Sequence, residues 1–120
     1  MPSLGGGSSR HRQGVCVFKL IFFVPPAQAE SVKAAIFATG AGTLGNYAEV
    51  AFETPGIGQF RPLAGACPHT GRPGKLTRCE ELRVEILCTP SQIRPALDAL
   101  VAAHPYESPA REVYRLARLD

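Results

Sequence analysis

Three stretches of the chain carry hydrophobic patterns typical of β-strands. Residues 16–24 (CVFKLIFFV) are almost all apolar, which predicts a strand covered on both faces, at the centre of a sheet or at an interface. Apolar and charged side chains alternate over residues 81–88, which predicts a strand with one buried face. The run 111–117 resembles a last strand, so the pattern predicts at least three strands.

Two stretches between these strands have apolar residues at helical spacing. Residues 27–39 predict a first helix, which Gly40 ends because glycine adopts a left-handed backbone without strain. Residues 92–103 predict a second helix, in which Pro95 is acceptable only within the first turn. The apolar stripes consist of Val32, Ala35, Ile36 and Thr39 in the first helix and Ile93, Ala96, Leu97, Leu100 and Val101 in the second.

The middle of the chain combines a further strand pattern with turn residues. Residues 46–54 alternate in polarity, and Pro55-Gly56 then predicts a turn into a returning strand over residues 57–62. Residues 63–78 lack periodicity and are rich in glycine and proline, which predicts a long functional or mobile loop. The element order is β-α-β-β-β-α-β, or βαββαβ if the hairpin does not count as two strands.

This order predicts the ferredoxin-like α+β fold, a split βαβ plan. In this plan two helices pack on one face of a single antiparallel or mixed sheet. The hairpin would add one extra strand to the four-stranded arrangement. The other face of the sheet needs a cover, and the apolar first strand indicates that another subunit provides it.

Composition and charge restrict the function classes. With 120 residues and 45% hydrophobic content, the chain fits one domain over residues 15–120. Residues 1–14, rich in Gly, Ser and Arg, predict a disordered tail. The net charge of +3 is too small for a dedicated nucleic-acid binder, and the apolar run at 15–24 is too short to span a membrane. Four cysteines without a CxxC pair predict reduced thiols and a cytoplasmic protein.

One motif match does not carry its usual function. Residues 40–45 (GAGTLG) fit the GxGxxG pattern of dinucleotide-binding loops. That function requires a strand before the glycines and a helix after them, so that the helix N-terminus faces pyrophosphate. Here the predicted order is reversed, so the glycines are interpreted as a helix stop and a tight turn.

The corner after the second helix concentrates reactive side chains in His104, Pro105, Tyr106 and Glu107. A base, a hydroxyl and a carboxylate make a catalytic site one interpretation. However, His104 is in register with the apolar stripe, and Pro105 with Pro109 fixes the direction in which the chain leaves the helix. We favour a structural corner, in which a cationic His104 would interact with the dipole at the helix C-terminus.

The long loop contains a candidate metal site. Cys67 and His69 lie two positions apart, and thiolate and imidazole are good ligands for Zn or Cu. Cys79 would join them if the loop folds back. A fourth ligand is missing from this set, which favours an incidental thiol unless a second subunit completes the site.

The same loop is basic. No acidic residue occurs between Glu53 and Glu80. Cations beside glycine amides can hold phosphate or carboxylate, so we expect a small anionic ligand, against the alternative of a solvated loop. Nucleic acid is disfavoured because residues 63–78 contain no aromatic side chain on which a base could stack. The four candidate ligand-binding residues are Arg61, Arg72, Lys75 and Arg78.

Four ordered blocks resemble a known domain. They are residues 40–47 (GAGTLGNY), 56–62 (GIGQFRP), 80–85 (EELRVE) and 103–107 (AHPYE). Together they resemble the YqfO-type domain, the PII/CutA-like module inserted in bacterial members of the NIF-three-like family. The last block also resembles CutA, a trimeric ferredoxin-like protein linked to divalent-cation tolerance.

The resemblance implies a homo-oligomer, with a trimer expected, and a domain that stands alone here. PII-like trimers bind nucleotides or other effectors in inter-subunit clefts beside a long loop. By resemblance to CutA, the His104 corner would lie near a subunit interface, where Tyr106 and Glu107 would form hydrogen bonds to a neighbouring subunit. Full-length members of the family carry a dinuclear metal site of histidines and carboxylates. This chain has three histidines, one of them (His11) in the tail, so that site and its activity are not transferred.

Three hypotheses follow from the sequence. The first is a non-catalytic, cytoplasmic PII/CutA-like trimer that binds an anionic effector or a protein partner through the loop and the inter-subunit clefts. The second is a Zn- or Cu-binding protein of CutA type that uses Cys67 and His69. The third, a hydrolase with His104 as base, is least favoured because no nucleophile or oxyanion hole can be assembled.

Overall fold

The computed structural model describes residues 17–117 and contains six regular elements. The predicted tail at 1–14 and Cys16 lie outside the described residues. In chain order the elements are β1 (Val17–Val24), α1 (Pro26–Phe37), β2 (Phe52–Phe60), β3 (Thr77–Cys88), α2 (Pro90–Ala103) and β4 (Arg111–Leu116).

The strands form one antiparallel sheet in the order β2-β3-β1-β4. Alternate side chains of β1 and β3 meet α1 and α2 in a single core, because β-strand side chains point to opposite faces in turn. The predicted ferredoxin-like α+β fold is thus confirmed, with both helices on one face. The fully buried core residues include Leu20, Phe22, Val24, Val32, Ile36, Val84, Ile86, Ala96 and Leu100.

The predicted hairpin at Pro55-Gly56 is wrong. These two residues lie inside the continuous strand β2, where Pro55 pairs with Leu82 and Gly56 with Glu81. A proline fits there because β2 is an edge strand, whose outward-facing backbone needs no N–H donor. The sheet therefore has four strands and the order βαββαβ, with no extra strand among the described residues.

The ends of the middle strands also differ from the sequence prediction. The strand expected at 46–54 begins only at Phe52, after a loop in which Glu49 has a positive φ of 59°. Strand β3 begins at Thr77, four residues before the predicted start. Arg78, Glu80 and Glu81 give this part of the strand no hydrophobic pattern, because it projects from the core and pairs only with β2. The long loop therefore spans residues 61–76.

The helix ends are set by local chemistry. Gly40 has φ 96° just after α1, as predicted for the helix stop, and the GAGTLG segment does follow a helix and precede a strand. Helix α2 begins at Pro90, two residues earlier than predicted, and the Gln92 side chain accepts a 3.0 Å hydrogen bond from the Thr89 N–H. Pro95 consequently lies in the second turn, contrary to the expectation of a first-turn position.

The sheet face opposite the helices combines charged and apolar side chains. Ile21 is fully buried on it and lies opposite Glu85 of β3, whose carboxylate pairs with Lys19 at 3.1 Å. Toward the two edge strands the same face exposes aromatic rings, with Phe52 65% and Tyr114 49% accessible. Within residues 17–117, no helix is long and apolar enough to cross a membrane.

Candidate functional site

The long β2–β3 loop and the corner between α2 and β4 meet at one end of the sheet and enclose an open cleft of about 490 Å³. The floor comes from β1 and β3, one wall from β2, the other wall from the corner, and the roof from the loop. The lining residues are Phe23, Ile57, Gly58, Gln59, Phe60, Pro62, Ala66, Pro68, His69, Thr70, Glu81, Tyr106, Glu107, Ser108 and Ala110.

His104 anchors the corner through both ring nitrogens. Its Nε2 lies 2.6 Å from the Phe23 carbonyl oxygen, and its Nδ1 accepts a hydrogen bond from the Tyr106 N–H at 3.0 Å. This network requires the neutral ring with the proton on Nε2. Burial lowers the pKa of His104, so the cationic ring expected from the helix dipole is not the state that the structure favours. No ring nitrogen is left to act as a base.

Tyr106 connects the corner to strand β3. Its hydroxyl donates a 2.7 Å hydrogen bond to Glu81 Oε2 and lies 3.7 Å from Cys79 Sγ. Burial, followed by the hydrogen bond to Glu81, raises the pKa of the Tyr106 phenol, which therefore stays protonated. The ring also packs 4.8 Å, centroid to centroid, from His104. Tyr106 is thus fixed at both ends within its own chain.

Gly58 makes room for the Glu81 carboxylate. The Cβ atom of any other residue at position 58 would overlap that carboxylate. The alternating pattern of β3 predicts Glu81 only as an outward-facing strand residue, and the sequence does not mark Gly58, Phe60 or Glu81 as part of a site. The available signal was a glycine within a strand, which often marks a close approach by another group.

Glu107 attaches the corner to the roof of the cleft. Its Oε1 accepts a 3.0 Å hydrogen bond from the backbone N–H of Cys67. The Tyr106 hydroxyl and Glu107 Oε1, which the resemblance to CutA would direct to a neighbouring subunit, therefore have partners inside this chain. The hydrogen bond between Cys67 and Glu107 therefore holds the loop against the corner.

The three residues of the candidate metal site do not form a three-ligand group in the part of the chain that the structure describes. The Cys67 side chain is exposed, His69 lines the cleft with its ring 6.1 Å from that of Tyr106, and Cys79 lies beside the Tyr106 hydroxyl. Among residues 17–117, no group of three or more His, Cys, Asp or Glu side chains has the arrangement needed to hold a metal ion.

Three of the four candidate anion-binding residues lie together. Arg72, Lys75 and Arg78 line a groove of about 510 Å³ on the loop, outside the cleft. Arg78 Nη1 also donates to Gln59 Oε1 at 2.9 Å. Arg61 is not part of this groove, and its Nη1 donates to the Gly74 carbonyl at 2.7 Å, which fixes the base of the loop. We call the groove lined by residues 71–72 and 75–78 the basic groove.

Comparisons with known proteins agree with this architecture. No protein-family model matches the chain. The GTP cyclohydrolase 1 type 2 homolog of Halalkalibacterium halodurans is 39% identical over 101 residues, which make up 84% of this chain and 27% of that protein. The crystal structure of a Bacillus cereus protein related to NIF3 superposes with a TM-score of 0.74 at 38% identity, covering 87% of this chain and 26% of that chain.

More distant structures share the fold alone. The periplasmic divalent cation tolerance protein CutA from Archaeoglobus fulgidus has a TM-score of 0.61 at 14% identity, with 85% of each chain covered. The Bacillus subtilis GlnK–ATP complex has a TM-score of 0.58 at 15% identity, covering 85% of this chain and 83% of that one.

These findings define the fold of the chain as PII/CutA-like. More specifically, the chain is homologous to one segment of the GTP cyclohydrolase 1 type 2 homologs, the NIF3-related proteins, and the resemblance seen in the four sequence blocks is confirmed. The chain spans about a quarter of the length of the relatives it matches.

Proposed function

We propose that this chain is a non-catalytic, oligomeric binding module that holds a small anionic effector in the basic groove. One observation carries the proposal, namely that Arg72, Lys75 and Arg78 line one groove on the loop. Cations beside backbone amides in a concave surface are a recurring arrangement for holding phosphate and carboxylate groups.

The local backbone supports an anion site. The Lys75 N–H donates to the Arg72 carbonyl at 3.1 Å, so a turn presents these two side chains close together. The Gly74 N–H donates to the Pro62 carbonyl at 2.6 Å, which joins the base of the groove to the start of the loop. Because residues 54–79 contain no acidic side chain, the loop itself offers no carboxylate to compete for these cations.

A polyphosphate is the first ligand to test. The fold neighbour GlnK from Bacillus subtilis forms a complex with ATP, and this chain shares its fold. ATP and inorganic tripolyphosphate are suitable probes, because they separate binding of the phosphate chain from binding of the base. Equal affinity for the two would indicate that the groove recognises phosphate alone.

Isothermal titration at about 50 and 200 mM salt tests the proposal. We expect ATP binding that weakens at the higher salt and falls about tenfold in the double variant Arg72→Ala/Lys75→Ala, which loses roughly 1.4 kcal/mol. Arg94→Ala, which removes an exposed cation from α2, is the matched control and should bind as the wild type does. An affinity that the double variant leaves unchanged would refute the site.

The proposed oligomer would cover the sheet face and edges that the single chain leaves open. Strand β4 is an edge strand whose side chains at positions 111–115 are all exposed, and edge strands offer unpaired backbone groups to a partner. The exposed rings of Phe52 and Tyr114 add apolar surface to the same face. Sedimentation equilibrium should give a trimer at micromolar concentration, and a stable monomer would contradict this part of the proposal.

The absence of catalysis is proposed from the state of His104. Both its ring nitrogens are bonded to the backbone, so it cannot take a proton from a substrate without breaking the corner. If the chain hydrolysed GTP at a rate that His104→Gln abolished without unfolding the protein, this part of the proposal would fail.

We also propose a cytoplasmic location. Cys67, Cys79 and Cys88 are all free thiols, which is the usual state in a reducing compartment. Thiol labelling in intact cells that finds these cysteines oxidised would argue for another compartment.

A further inference from the structure

We propose that the cleft between the loop and the corner is a second binding site, which takes a small planar aromatic cation. This goes beyond the proposed function, because the cleft is distinct from the basic groove and its charge has the opposite sign. The aromatic rings, the carboxylates and the size of the cleft favour such a ligand.

Aromatic residues from four different segments line the cleft, including Phe23 near the end of β1. Phe60 comes from the end of β2, His69 from the loop and Tyr106 from the corner. The Phe60 and His69 rings each lie 6.1 Å from the Tyr106 ring, centroid to centroid. Rings at these separations leave faces and edges on which a flat ligand can stack, and their faces attract positive charge.

The charged side chains of the cleft favour a cation. Glu81 and Glu107 line it, and no lysine or arginine is among its lining residues. Each carboxylate has one oxygen bonded within the protein, to the Tyr106 hydroxyl for Glu81 and to the Cys67 N–H for Glu107. In the part of the chain that the structure describes, the second oxygen of each carboxylate has no protein donor and can accept a hydrogen bond from a ligand.

The size of the cleft fits a small molecule. Its volume of about 490 Å³ lies within the roughly 300–1,000 Å³ of typical ligand pockets. Pro62 and Pro68 in the roof limit the conformations of the loop there, so less backbone freedom is lost when a ligand binds. A ring of one or two fused cycles with an amidinium or protonated amine would fill the cleft and reach a carboxylate.

Three probes of one shape separate charge from stacking. Benzamidine is a planar cation, benzamide is its neutral counterpart and benzoate is the corresponding anion. Titration of each into the 15N-labelled protein, followed by backbone amide shifts, measures both affinity and location. We expect affinity to decrease from benzamidine to benzamide to benzoate, with the shifts concentrated at residues 57–60, 66–70 and 106–108.

A carboxamide substitution tests the role of charge without removing a structural hydrogen bond. Glu107→Gln keeps an oxygen that can accept from the Cys67 N–H and should weaken benzamidine binding about threefold to fivefold, while leaving benzamide binding within about twofold. Glu80→Gln is the matched control, because Glu80 is exposed on β3 and does not line the cleft, and it should change neither affinity.

Phe60→Leu provides a second, independent variant. It keeps an apolar side chain on the edge strand but removes a stacking face, so binding of benzamidine and benzamide should weaken together. Benzoate binding as tightly as benzamidine, or no saturable shifts at the cleft with any probe, would overturn the proposal. The same holds if Glu107→Gln and Phe60→Leu both fold and bind benzamidine like the wild type.

Discussion

Replacement of Gly58 by alanine tests how the cleft is held together. The added Cβ would occupy the position of the Glu81 carboxylate, so that side chain must rotate away. Rotation breaks the 2.7 Å hydrogen bond from the Tyr106 hydroxyl, which joins the corner to β3. We therefore expect Gly58→Ala to loosen the cleft wall although alanine is compatible with the backbone, since Gly58 does not have a positive φ.

The expected magnitude follows from two opposing effects. A hydrogen bond to a charged group contributes about 1.5–3 kcal/mol, and the partial exposure of Glu81 favours the lower end. Alanine stabilises by about 0.4–1 kcal/mol through reduced freedom of the unfolded chain. The net loss is about 1 kcal/mol, which for a domain of this size lowers Tm by roughly 4–5 °C.

Thermal unfolding followed by circular dichroism measures this difference. Gly56→Ala is the matched control, since Gly56 lies on the same strand and an added Cβ there meets no atom within 4 Å. It should be neutral or slightly stabilising. In a Tyr106→Phe background, which already lacks the hydroxyl, Gly58→Ala should cost much less. If Gly58→Ala is as stable as Gly56→Ala, the proposed role of the Glu81 contact is refuted.

Three further outcomes are expected. Because folding lowers the pKa of His104, the unfolded chain binds the proton more readily, so the free energy of unfolding should fall as the pH drops below about 6.5. In urea unfolding, this free energy should depend less steeply on pH in His104→Gln, and an unchanged pH dependence would contradict the assignment. Gly42→Ala should destabilise the protein by roughly 1–3 kcal/mol, because Gly42 has φ 81° and the added Cβ would lie 2.7 Å from a phenylalanine ring of α1. Gly45→Ala is the control and should cost less, because Gly45 has φ 57° but open space around it. Equal costs for the two variants would show that the ring contact does not matter. Thiol labelling of the native protein, mapped by mass spectrometry, should modify the exposed Cys67 quickly. Cys88 is buried, and burial raises its pKa to about 11, so it should react only after unfolding. Early labelling of Cys88 would contradict its burial.

The fold was predictable because hydrophobic periodicity reports burial. The apolar run at 16–24 marked the central strand β1, and the alternation at 81–88 marked the part of β3 that packs on the core. The same signal failed where the chain leaves the core. The outer part of the β2–β3 ribbon is exposed and charged or glycine-rich, so it resembled a turn and a loop although its backbone is paired.

The site was predictable only in part. The concentration of polar groups at His104–Glu107 identified the corner, and the lack of acidic residues identified the basic loop. The contacts between them depend on residues far apart in sequence, such as the Cys67 N–H bond to Glu107, and a single sequence carries no local signal for such pairs. The cleft could therefore be found only after the loop and the corner had been placed in space.

The central claim is that the module binds an anion through the basic groove. A titration of the 15N-labelled protein with ATP is the most direct test of it. The account predicts saturable shifts of the backbone amides between Gly71 and Arg78, which weaken with added salt and are lost in Arg72→Ala/Lys75→Ala. An absence of shifts at millimolar ATP, or shifts that avoid this segment and persist in the double variant, would contradict it.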